Sequence, residues 1–62
     1  MKYKDFIRML KDLGLEPLRQ NGSHEIWGRN GKHITVVKKG SKEMNAMICK
    51  RLLKEVSLWD AA

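Results

Sequence analysis

The sequence has one cysteine, Cys49, and one proline, Pro17, in 62 residues. One cysteine cannot close an internal disulfide, and no disulfide-linked partner is expected. Cys49 and the two histidines, His24 and His33, do not make a zinc-ligand spacing, so no metal and no other cofactor is expected. Long apolar runs are also missing. The longest is Ala46-Met47-Ile48-Cys49, far short of the roughly 20 residues a membrane helix needs. The N-terminus has no apolar stretch of signal-peptide length, so the expectation is a cytoplasmic protein without a membrane partner.

Acidic residues are scarce as well. There are 7 Asp+Glu against 13 Lys+Arg, a net charge of +6. None lies between Gly28 and Lys42, where Arg29, Lys32, Lys38, Lys39 and Lys42 are all basic. Five of the six surplus charges thus fall in one contiguous quarter of the chain. Such a surplus suits an acidic partner: nucleic acid, an anionic surface or an acidic protein. It also suits a solvated hairpin protected from edge aggregation by lysines.

What is present fits a single domain over residues 1–62. A chain of this size buries about 60% of its unfolded surface. Its core supplies only about 3–5 kcal/mol of net stability. The hydrophobic fraction of 42% argues against disorder.

Tyr3, Phe6, Ile7, Leu10 and Leu13 follow helical spacing, and Gly14 is the usual stop. Leu15 to Gln20 reads as an edge strand because Pro17 cannot donate a ladder hydrogen bond. Asn21-Gly22 and Asn30-Gly31 are two-residue hairpin signals. They separate that strand from Ser23–Trp27, and the next from His33–Val37. Met44, Ile48, Cys49, Leu52, Leu53 and Val56 form a second helical stripe, capped somewhere between Ser41 and Asn45. Leu58 to Ala62 reads as a loose tail with one aromatic anchor, Trp59. The fold class expected is α+β: an α-β-β-β-α chain with a three-stranded antiparallel sheet and two helices on one face. This is the double-stranded-RNA-binding-domain architecture.

If both Asn-Gly pairs form the turns, Arg19 lies opposite His24 and Leu18 opposite Glu25. Directly opposed residues share a face. Leu18, Trp27, Ile34 and Val36 then meet the helices, with Glu25 at the sheet end. Arg19, His24, Ile26, Thr35 and Val37 face outward, and Lys39 falls across from Gly22.

A histidine suits proton transfer near neutral pH. RNA carries its own nucleophile, the 2′-hydroxyl, which one base can direct at the adjacent phosphate. The transition state gains negative charge, which Arg19 and Lys38 or Lys39 would stabilise. Gly22 permits close approach of a phosphate, and Ser23 offers a hydroxyl donor. The ordinary alternative is a surface histidine among solvated charges. His33 is read as structural. Trp27 and Trp59 are read as packing residues rather than base-stacking platforms. Cys49 is read as a buried, inert thiol.

The run Leu18-Arg19-Gln20-Asn21-Gly22-Ser23-His24-Glu25-Ile26-Trp27 resembles the HicA family of mRNA-interferase toxins. Gly31-Lys32-His33-Ile34-Thr35-Val36 and Lys50-Arg51-Leu52-Leu53-Lys54 agree with it, so the resemblance spans about Tyr3 to Leu58. It implies an endoribonuclease toxin with His24 of Gly22-Ser23-His24 as the catalytic residue. It also implies an mRNA substrate and a HicB-type antitoxin that covers His24. The chain departs from the family at Val36-Val37-Lys38-Lys39, where Val-Pro-x-His is common, so Lys39 offers a cation without a second proton shuttle. It departs again at Met47-Ile48, where Gly-Thr is favoured. Two other readings stand beside this one: a non-catalytic RNA-binding module of the same fold, and a protein-interaction domain.

Overall fold

Apolar residues three and four apart drive the first element, α1 (Tyr3–Asp12). The computed structural model describes residues 1–38 and 43–60. Phe6 and Leu10 are fully buried, and Tyr3 and Ile7 pack against them from the flanks. Leu13 caps the helix, and Gly14 follows at φ +88°, a conformation that costs glycine little. Leu15 then drops into the core.

Three strands follow: β1 (Glu16–Asn21), β2 (His24–Arg29) and β3 (Lys32–Val37). They form one antiparallel sheet in the order β1-β2-β3. The last element is α2 (Ala46–Leu58). Trp27, Ile34 and Val36 of one sheet face join Phe6 and Leu10 of α1 and Cys49 and Val56 of α2 in one core. Met44 closes it ahead of α2. Each such side chain contributes about 1.5–3 kcal/mol on burial. The α-β-β-β-α order and the helix-covered sheet face agree with the expectation, as does the buried Cys49.

The second hairpin has the expected register. Asn30 (φ +52°) and Gly31 (φ +80°) both sit in left-handed space, as a type I′ turn requires. Trp27 pairs with Ile34, Glu25 with Val36 and His24 with Val37.

The first hairpin differs from the expectation. Its turn residues are Gly22-Ser23, not Asn21-Gly22, and Asn21 pairs with His24. Arg19 pairs with Ile26, not with His24. Only Gly22 has positive φ (+61°), the pattern of a type II′ turn with glycine first. An irregularity between Pro17 and Arg19 then interrupts the alternation and puts Pro17, rather than Leu18, opposite Trp27. Leu18 is the residue displaced. It is 55% exposed instead of lying in the core. Its Cδ1 reaches over Gly28, where a Cβ would meet it at 3.0 Å and the Lys32 carbonyl at 2.2 Å.

In α2 the start falls at the late end of the expected range from Ser41 to Asn45, and two other expectations change. Asn45 is the N-cap, accepting from the Met47 and Ile48 amides at 2.8 and 3.2 Å. Ile48 leaves the core stripe and is half exposed. The helix continues through Leu58, and the residues after it are anchored rather than loose. Trp59 packs on the core, and Asp60 accepts two 2.9 Å hydrogen bonds from Arg29.

Candidate active site

Strand alternation puts His24, Ile26 and Gly28 on the sheet face away from the helices. His24 is the first residue of β2 and is exposed. Its row across the sheet is Asn21–His24–Val37, and the next row is Arg19–Ile26–Thr35. Arg19 is therefore a diagonal neighbour of His24, at the ~7–8 Å such pairs show, and it remains on the same face. Both side chains are open to solvent.

The turn preceding His24 is tied down on both sides. Gln20 Nε2 donates to the Gly22 carbonyl at 3.0 Å, and the Lys38 amide donates to the Ser23 carbonyl at 2.7 Å. The second bond brings the backbone of Lys38, directly after β3, beside Ser23. So the structure gathers His24, Gly22, Ser23 and Lys38 at one end of the sheet, with Arg19 one row inward. Lys39 lies outside the described residues. Asn21 was not singled out from the sequence, yet it faces His24 directly. The signal was Gly22-Ser23, itself a type II′ turn pair, which competes with Asn21-Gly22.

On the opposite face, Glu25 holds the same strand end against α1. Its Oε1 accepts from the Tyr3 hydroxyl and, at 3.3 Å, from Trp27 Nε1. This explains a carboxylate on the inward face: it is half-buried and hydrogen-bonded twice. The Tyr3 pKa is pushed well above its ordinary value, first by burial, then by its bond to Glu25 and that group's negative charge.

Two of the five clustered cations are not part of this surface. Arg29 points inward, pairs with Asp60 and lies 5.9 Å from the centre of the Trp59 ring. Lys32 Nζ donates to the Trp59 carbonyl at 3.4 Å. The basic surplus expected around His24 is correspondingly smaller. His33 is exposed at the far end of the outer face, opposite Gly28.

The family model for the HicA toxin of bacterial toxin–antitoxin systems matches residues 3–58. The chain belongs to the HicA toxin family. A probable mRNA interferase HicA from Pseudomonas fluorescens (strain Pf0-1) is 38% identical over 60 residues, covering 97% of this chain and all of that relative. No solved structure matches. Membership spans every element of this HicA-family fold, from α1 through the end of α2. Among the described residues, no helix is long and apolar enough to cross a membrane.

Proposed function

We propose that this HicA-family protein is an endoribonuclease that cleaves mRNA and so blocks translation and growth. His24 is its catalytic base. Its placement carries the reading: an exposed histidine at a strand start, preceded by a tied Gly22-Ser23 turn and flanked by Arg19 and Lys38. The family membership and the name of the relative support it.

In the reaction, neutral His24 takes the proton of a 2′-hydroxyl. The 2′-oxygen forms a bond to the adjacent phosphorus, the bond from phosphorus to the 5′-oxygen breaks, and that oxygen takes up a proton from solvent at this open site. The products are a 2′,3′-cyclic phosphate and a free 5′-hydroxyl. Negative charge builds on the phosphoryl oxygens, and Arg19 and Lys38, with Lys39, supply the compensating cations. Gly22 leaves room for the phosphate, and the Ser23 hydroxyl is a further donor. The protein acts in the cytoplasm. A HicB-type antitoxin silences it by laying acidic or bulky groups over His24 and the Lys38/Lys39 region.

The test is His24→Ala in growth and RNA-cleavage assays. The variant is expected to keep its fold, lose growth inhibition and yield no cyclic-phosphate ends. Retained cleavage overturns the assignment. RNA binding without any cleavage by the unaltered protein favours a non-catalytic RNA-binding module instead.

A further inference from the structure

Beside the His24 row, the outer face of β3 and the first half of α2 enclose a groove of about 230 Å³. It is lined by Thr35, Val37, Met44, Asn45, Ile48 and Leu52. We propose that this groove holds one nucleobase of the RNA strand cleaved at His24, and that Thr35 and Asn45 read its edge. The inference rests on the ribonuclease reading above and extends it to substrate selection.

Four observations carry it. First, position: Val37 is the direct cross-strand partner of His24, and Thr35 is the next outward residue of β3. The groove therefore begins one strand from His24 and extends roughly 7 Å along β3. Second, size: about 230 Å³ lies below the ~300–1,000 Å³ of drug-sized pockets. That suits one planar ring rather than a whole nucleotide. Third, chemistry: four apolar walls with two polar groups are what a site needs to bury a base and still orient it. Asn45 Oδ1 is committed to capping α2, which leaves its amide N–H₂ without a protein acceptor among the described residues. The Thr35 hydroxyl is likewise unpaired among them. Fourth, charge: no acid lines the groove, Lys38 stands at its His24 end, and Arg51 lines the depression that continues from Asn45 and Ile48. Cations on both sides suit the phosphates flanking a seated base.

Because only the donor half of the Asn45 amide is free, the base favoured should present an acceptor at its exocyclic 6- or 4-position, as guanine O6 and uracil O4 do and the amino groups of adenine and cytosine do not. Asn45→Asp keeps an oxygen for the cap but replaces the free donor with an acceptor. Thr35→Val keeps the branched shape and removes the hydroxyl. Both positions are exposed, so neither substitution disturbs the core.

The experiment maps cleavage ends on a mixed-sequence RNA for the unaltered protein, Asn45→Asp and Thr35→Val, with thermal melts to verify folding. The unaltered protein is expected to favour guanine or uracil at one position flanking the cut. Asn45→Asp should shift that position about five-fold or more toward adenine and cytosine, and Thr35→Val should flatten it. Identical base profiles in all three proteins overturn the base site while leaving His24 catalysis standing. Identical profiles with lost HicB-type antitoxin binding assign the groove to the protein partner and also overturn it. An unaltered protein that cleaves no RNA overturns the ribonuclease reading, and this one with it.

Discussion

Arg29 Nη2 donates to both carboxylate oxygens of Asp60, each at 2.9 Å, across 31 positions of sequence. The pair joins the β2–β3 hairpin to the residues following α2, with the Trp59 ring 5.9 Å from the guanidinium. Asp60 is largely exposed and Arg29 is about one-fifth exposed. The ion pair alone is therefore worth at most about 1 kcal/mol.

Asp60→Asn is expected to lower the melting temperature by several degrees, since roughly 1 kcal/mol shifts a domain of this size by about 4–8 °C. The deficit should shrink as salt rises. Arg29→Ala should cost more, because the Arg29 stem and its contact with Trp59 are lost as well. Thermal melts at low and high salt measure both. Equal deficits at every salt concentration count against an electrostatic role for the pair.

Gly28 is the least replaceable glycine in the sheet. A Cβ there lies 2.2 Å from the Lys32 carbonyl oxygen, which is backbone and cannot step aside. Gly28→Ala should force the second hairpin apart at a cost of about 1–3 kcal/mol. Chemical denaturation reads this directly, and a stability within error of the unaltered protein would contradict the close approach.

Tyr3 makes stability fall at high pH. Its folded pKa is raised above the ordinary value near 10. The contribution of the neutral hydroxyl is complete below about pH 10 and is lost as pH climbs through the folded-state value. The unaltered protein should lose melting temperature above pH 10 more steeply than Tyr3→Phe. Tyr3 is the single tyrosine, so tyrosinate absorbance follows the same group without ambiguity.

Arg19 and Lys38 should each contribute one phosphate contact to RNA binding. Replacing either with alanine is expected to weaken binding similarly across RNA sequences. It should also reduce the slope of log affinity against log salt by about 0.7. Slopes measured on an RNA lacking the 2′-hydroxyl at the cut site separate binding from cleavage. An unchanged slope for Arg19→Ala would remove it from the phosphate path.

The two helices, the three strands and the second turn were legible because each rests on local signals. Phe6 and Leu10 repeat at helical spacing. Asn30-Gly31 is a turn with no competitor nearby, and its register follows. The first hairpin was not legible in the same way. Asn21, Gly22 and Ser23 offer two overlapping turns, and choosing between them moves each cross-strand partner near the turn by two residues, from His24 to Ile26 for Arg19. An even shift keeps Arg19 on the His24 face by a different pairing from the one expected, while the bulge at Leu18, farther from the turn, displaces that side chain from the core.

The sequence alone determined the element order, the charge surplus, the family and the histidine on which the proposed chemistry turns. These follow from residue type and short-range spacing. Only the tertiary structure decided which neighbours His24 has. Strand register depends on competing turns, and the cost of burying or exposing each side chain settles that competition across the whole sheet. Tertiary structure also took Arg29 and Lys32 out of the basic surface. Their partners at Trp59 and Asp60 lie more than twenty residues away, a distance that no local pattern spans.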